Sequence, residues 1–253
     1  MSDKLKLYGF NNLTKALSFN IYDVCYAKTQ HERREYIAYI DEQYNAERLT
    51  GILLRMVDMI GANVLSISSQ DYEPQGASVT LLIAEGSMSA PVREATVAHL
   101  DKSHVTVHTY PEYHPENSIS TFRVDIDIAT CGEITPLNTL DLLIASFDSD
   151  IITMDYRIRG FTRDVNGNKL FTDHEMASIR DYLAPETLEK YEAVDMNLEE
   201  YNLFHTKMLI REIDLGNYLF NSEAYVLSPE LKQSIKESLR REMLEIYSGR
   251  NIY

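Results

Sequence analysis

Tryptophan is absent from the 253 residues, and cysteine occurs only twice, as Cys25 and Cys131. Two cysteines make no disulfide framework, so each reads as a packing residue or a reactive thiol in a reduced compartment. Positive charge is scarce: 24 Lys and Arg stand against 39 Asp and Glu, a net charge of −15 with histidine neutral. Such a balance excludes nucleic acid as the main partner, because phosphate neutralisation needs clustered cations. It argues equally against an anionic membrane surface and favours a cationic ligand. Long apolar runs are missing too. Leu81-Leu82-Ile83-Ala84 is typical of the longest, far short of the roughly 20 residues that cross a bilayer. The opening MSDKLKLYGF carries charge from its third residue and lacks the apolar stretch of a secretory leader. The expected location is the cytoplasm. Neither an internal repeat nor a low-complexity segment is visible.

What remains is an ordinary globular composition, 44% hydrophobic and 25% charged, enough for a sizeable core. Residues 4–9 read as a strand. Helices are expected over about 30–44 and 46–60, the second with Leu49, Ile52, Leu53, Met56 and Ile60 at helical spacing and Gly61 where the C-cap belongs. The period then changes, and 62–69, 78–85, 104–110, 119–130 and 150–159 read as extended. The clearest is Phe122-Arg123-Val124-Asp125-Ile126-Asp127-Ile128, whose strict alternation gives one buried and one wet face. A short helix is expected over Pro136 to Phe147, and mostly helix after about 170. Ser228-Pro229-Glu230 supplies a cap and a first-turn proline for the best of these, 228–247. The pattern predicts an α+β fold with an antiparallel sheet, helices packed on one face and a helical C-terminal extension. Residues 161–175 are a possible boundary.

Three clusters could carry chemistry. In the run from His99 to Glu112, His104, Thr106 and His108 share one strand face and Ser103, Val105 and Val107 the other. The plain alternative is the exposed face of an edge strand. Two histidines four apart suggest zinc, but on a strand they lie about 13 Å apart, too far for one ion. The second cluster, Ala129-Thr130-Cys131-Gly132, ends the alternating strand, where a cysteine is either a small buried hydrophobe or a working thiol. In the third, Asp164, Asn166, Asn168 and Glu175 mimic a calcium loop, but Lys169 occupies the place that needs glycine. A tight turn at Asn166-Gly167, and a capping box Thr172–Glu175 opening a helix, explain it better.

The run HLDKSHVTVHTYPE followed by TFRVDIDIATCG, with LKLYGFNNLTKALSFNIYDVCYAKT, GAN before QDYEPQGASVT, DYRIRGFTRDVNG and LFHTKML, resembles the S-adenosylmethionine decarboxylase family, in its longer proteobacterial branch. The resemblance covers nearly the whole chain. It implies that family's sandwich fold and a single domain, 1–253, that cleaves itself between Lys102 and Ser103. A β chain of 1–102 and an α chain of 103–253 would result, with Ser103 converted to a pyruvoyl group. That carbonyl would form a Schiff base with S-adenosylmethionine for decarboxylation, feeding spermidine synthesis. His108 matches the family's processing histidine and Cys131 its proton donor; imidazole and thiol both exchange protons near neutrality. A homo-oligomer of αβ units, a tetramer of heterodimers, is implied, with activation by Mg2+ through ligands the sequence does not name. The loop 86–95 is shorter than the branch leads one to expect. Pyruvoyl-dependent decarboxylation of arginine or ornithine, or a non-processing regulatory homologue, are the competing readings.

Overall fold

The computed structural model describes residues 7–85, 103–222 and 224–252. Lys102 and the loop 86–95 therefore lie outside the described residues. In chain order the elements are β1 (Leu7–Asn11), β2 (Thr14–Tyr26), α1 (Gln30–Gln43), α2 (Ala46–Met59), β3 (Ala62–Asp71), β4 (Ala77–Glu85), β5 (Ser103–Tyr113) and β6 (Ile119–Cys131). They continue with α3 (Leu140–Ser146), β7 (Ile151–Arg159), β8 (Thr162–Asp164), β9 (Lys169–Leu170), α4 (Pro185–Lys190), β10 (Tyr191–Asp195), β11 (Leu203–Ile210) and α5 (Pro229–Ser248).

Eight strands form one antiparallel sheet in the order β10-β11-β7-β2-β6-β5-β4-β3, and β1, β8 and β9 form a small second sheet. Alternation decides the faces. Leu17, Phe19 and Ile21 of β2, Val105 and Val107 of β5, and Ile126 and Ile128 of β6 all enter one core. Against them pack Tyr36, Ile37 and Ile40 of α1, Leu49, Ile52, Leu53 and Met56 of α2, and Leu140 and Leu143 of α3. Local chemistry sets these helices. Thr29 and Glu32 form a reciprocal capping box at the start of α1, Asn45 caps α2, and Gly61 leaves α2 with φ +71°, a value that suits glycine. Helix α5 starts as its Ser228-Pro229 signal predicts. It lies on the opposite face, where Ile235, Leu239 and Met243 meet Val24, Ile119, Ile151 and Leu209.

Several expectations need correction. The stretch 14–26, to which the sequence reading assigns no element, is the central strand β2. The alternation of β2 runs unbroken to its end: Asp23 and Cys25 continue the face of Leu17, Phe19 and Ile21, and Val24 faces α5. The chain after 170 is not mostly helical. β10 and β11 extend the sheet there, and the rest is turns and single helical turns apart from α4 and α5. Residues 172–175 open no helix: Thr172 spends its hydroxyl on the His174 carbonyl at 2.7 Å, and Asp173 is drawn to Lys15 and His174. The histidine run is not an edge, because β5 lies between β4 and β6. The expected turn at Asn166-Gly167 is present, with Gly167 at φ +86° and Asp164 accepting from the Asn166 and Asn168 amides.

Near the α5 end the core holds two facing carboxyls. Asp150 accepts from the Val24 amide at 2.8 Å and the Tyr218 hydroxyl at 2.6 Å. Burial pushes its carboxyl up to about 6. Burial, then the neighbouring charges of Asp150 and Asp148, push Asp23 up as well. A raised carboxyl stabilises the fold fully only below its unfolded value, and that contribution is lost as pH rises through the folded one. The melting temperature of the parent, relative to Asp150→Asn, should therefore fall between pH 5 and 7. A shift of a few °C is expected, the response of a chain this size to about 1–2 kcal/mol. Parallel curves would show that Asp150 stays ionised across that range.

Candidate active site

The site sits at the end of the sheet away from α5. Ser103 is the first residue of β5, buried at 3% exposure, and pairs with Ile83 of β4. The β5–β6 register, with His104 opposite Ala129, sets Ser103 beside Thr130. Thr130 pairs with Lys15 of β2, and Lys15 with Ile158 of β7. Ile83, Ser103, Thr130, Lys15 and Ile158 thus form one row on the helix-covered face.

The link that carries chemistry joins Ser103 to the last residue of β6. The Cys131 amide donates to Ser103 Oγ at 3.0 Å, across 28 residues of sequence. The donated hydrogen bond holds the hydroxyl oxygen at a fixed place and draws on its lone pair. The Cys131 side chain is half-buried and follows Ala129, Asp127 and Asp125 onto the open face. The turn after it needs Gly132, whose φ is +75°, a conformation unfavourable for a residue with a Cβ. The Gly132 amide reaches the Leu13 carbonyl at 3.2 Å.

Among the three residues named from sequence, Ser103 meets the Cys131 backbone, while the Cys131 side chain turns to the other face, and His108 lies apart from both. His108 lies opposite Asp125 and Ser78, five positions along β5 from Ser103, about 16 Å at strand rise. An odd separation puts the two side chains on opposite faces. On the open face His108 stacks near Tyr110, with ring centroids 6.4 Å apart. The Arg123 guanidinium pairs with Asp125 and lies 5.2 Å from the Tyr110 ring.

The same open face carries a cavity of about 400 Å³. Its floor includes Ala16, Ser18, Asp127 and Asp155, and its rim Met196 and Leu198. Ala16 pairs with Ala129, two residues from Cys131, so the cavity lies on the same face as the thiol, which does not line it. Asp155 is engaged by His205 at 2.6 Å. A concave, mostly apolar site with a few acids suits an organic cation. Sequence reading missed this cavity because β11 and the segment after β10 build its wall. It also missed Lys15, although the row Leu13, Lys15, Leu17, Phe19, Ile21 shows a cation in an apolar series.

Among the described residues no group of three or more His, Cys, Asp or Glu is placed to hold a metal. The Mg2+ expectation therefore finds no fitting ligand set among them. No helix among them is long and apolar enough to cross a membrane.

A family model described as S-adenosylmethionine decarboxylase matches residues 38–160. The S-adenosylmethionine decarboxylase proenzyme of Clostridium botulinum is 62% identical over 268 residues, covering 100% of this chain and 98% of its own. That of Alkaliphilus oremlandii is 62% identical, covering 100% and 99%. That of Halorhodospira halophila is 59% identical, covering 98% and 96%. Full-length identity at this level, with Ser103 and Cys131 joined at one end of an antiparallel sheet, means that the chain belongs to the S-adenosylmethionine decarboxylase family.

Proposed function

We propose that this chain is a proenzyme, one domain that cuts itself between Lys102 and Ser103 and then decarboxylates S-adenosylmethionine, making the aminopropyl donor for spermidine synthesis in the cytoplasm. The observation that carries this reading is the Cys131 amide on Ser103 Oγ. It ties the residue to be converted to the backbone that carries the expected acid.

Self-cleavage needs the serine hydroxyl to attack the carbonyl before it. Ser103 Oγ is fixed by the Cys131 amide at a buried strand end, and fixing a nucleophile lowers the entropic part of the barrier. The pyruvoyl group left on residue 103 supplies a carbonyl that takes the substrate amine and accepts the electrons released with carbon dioxide. Cys131 then returns a proton to the substrate α-carbon. The cavity on the same face takes the rest of the substrate, its apolar rim meeting the nucleoside and Asp127 the sulfonium charge. Feeding labelled S-adenosylmethionine, arginine and ornithine and counting released carbon dioxide tests the substrate. Release from arginine or ornithine alone would replace the reading with another pyruvoyl-dependent decarboxylase. Comparing rates with added Mg2+ and with a chelator tests cation activation, to which no step is assigned.

His108 is the processing base in this reading, and its distance from the Ser103 of its own chain calls for a second copy. A tetramer of αβ units supplies one. His108→Ala alone should cleave far more slowly while keeping its circular dichroism. Co-expressed with a differently tagged Ser103→Ala chain, which keeps His108, the His108→Ala chain should be cleaved. Failure of that rescue in a proven mixed oligomer would remove His108 from action between copies.

A further inference from the structure

The helix-covered face beneath Cys131 holds a cation that the reaction, as derived so far, does not use. Lys15 is 1% exposed. Its ammonium donates to the Gly132 carbonyl at 3.1 Å and to Asp173 Oδ2 at 2.5 Å. Asp173 Oδ1 in turn meets His174 Nδ1 at 2.7 Å. Burial pushes the Asp173 carboxyl up, but the hydrogen bonds from His174 and Lys15 outweigh it and hold the group below its usual range. A charge removed from water this completely is costly unless it is paired and hydrogen-bonded. A leucine would fill the same place in the row at no such cost.

What the ammonium gains is a hold on one peptide. Around Cys131, the Cys131 amide is tied to Ser103, the Gly132 amide to Leu13, and the Gly132 carbonyl to Lys15. The first two ties fix the strand end and the peptide that follows the thiol-bearing residue; the third fixes the next peptide, Gly132–Glu133, and so closes the turn on the far side of Gly132. Gly132, at φ +75°, is the residue most free to rotate if that tie is lost.

We propose that Lys15, anchored by Asp173, is the positioning residue that holds Cys131 over the substrate carbon. This rests on the proton-donor reading of Cys131. The position matters because the electron pair released with carbon dioxide can take its proton at two carbons. On the substrate carbon, it yields the decarboxylated amine and restores the carbonyl on residue 103. On the carbon of residue 103, the substrate nitrogen stays with that residue, water releases the substrate as an aldehyde, and the α chain ends in alanine. A displacement of about 1 Å in a catalytic group costs on the order of 10²-fold in rate, and here it also shifts the choice of carbon.

The test compares parent, Cys131→Ser, Asp173→Asn, and the double variant Lys15→Met with Asp173→Asn, in which no buried charge is left unpaired. Self-cleavage, melting temperature, turnover and alanine-terminated α chains per turnover are measured for each. Both Asp173 variants lose the ion pair and should melt lower. Only the double variant loses the tie to Gly132, and its alanine per turnover should rise about tenfold. A parental ratio in the double variant overturns the proposal, as does an equal rise in Asp173→Asn, which would trace the effect to the ion pair. If Cys131→Ser itself keeps the parental ratio, the proton-donor reading fails first and takes the proposal with it. Should the double variant not cleave, the uncleaved Ser103→Ala chain serves. Adding the double substitution should change the iodoacetamide alkylation rate of Cys131 severalfold, while Cys25 stays buried. An unchanged rate overturns the proposal.

Discussion

Ser103→Ala should leave every chain at its full 253 residues and reduce carbon dioxide release to background. The two outcomes have one cause. Without the hydroxyl nothing attacks the Lys102 carbonyl, so the backbone stays whole, and without cleavage residue 103 carries no carbonyl to accept electrons. The competing explanation is that the variant fails to fold, and magnitudes decide against it. Among the described residues Ser103 Oγ makes one hydrogen bond, from the Cys131 amide. Leaving that amide unpaired costs about 1–3 kcal/mol, against a stability of roughly 5–15 kcal/mol for a domain. The variant should therefore show the parent's circular dichroism and a cooperative, somewhat lower melting transition. Denaturing mass spectrometry of the parent should show chains of 1–102 and 103–253, the heavier without a free amine at its N-terminus. An intact parent that still releases carbon dioxide would refute self-processing altogether. A variant that is cut at the same bond would move the nucleophile elsewhere.

The residues proposed to react were legible before the fold was; the residues that place them were not. β6 announces itself because Arg123, Asp125 and Asp127 alternate with Val124, Ile126 and Ile128, and the structure puts those two sets on opposite faces. β2 carries the same signal in Leu17, Phe19 and Ile21, but Lys15 breaks the apolar row at one end and Asp23 breaks it at the other. Both breaks have tertiary causes, the ion pair with Asp173 and the Tyr36 hydroxyl on Asp23, which no local window contains. Thr172–Glu175 failed for the same reason, since Asp173 is claimed by a strand 158 residues away. β11 reads poorly because its partners, β7 and β10, lie far from it or follow a long irregular stretch. The distance from Ser103 to His108 was legible in principle. An odd spacing on a strand separates faces, whatever family the residues resemble.

Cys131→Ser should leave self-cleavage near the parent's rate and slow turnover by about 10²–10⁴-fold, the usual worth of a positioned acid. The split follows from which atoms do what. Processing draws on the Cys131 amide, which donates to Ser103 Oγ, and a change of side chain keeps the amide. Turnover draws on the thiol, and a serine hydroxyl of nearly the same size holds its proton far too tightly to give it up near neutrality. The opposing view makes Cys131 a small packing group at a strand end, like the fully enclosed Cys25. Exposure separates the two cysteines: Cys25 is buried, and burial pushes its thiol far up, whereas Cys131 is half-buried on the face that carries the cavity. A packing role predicts a lower melting temperature with turnover intact. A donor role predicts the reverse, together with a second signature. With the acid gone, the electron pair takes its proton more often on residue 103, so the variant should inactivate within fewer turnovers and its α chains should accumulate N-terminal alanine. Turnover at the parent rate, with no extra alanine in the mass spectrum, would make Cys131 structural and place the acid on another residue of the open face.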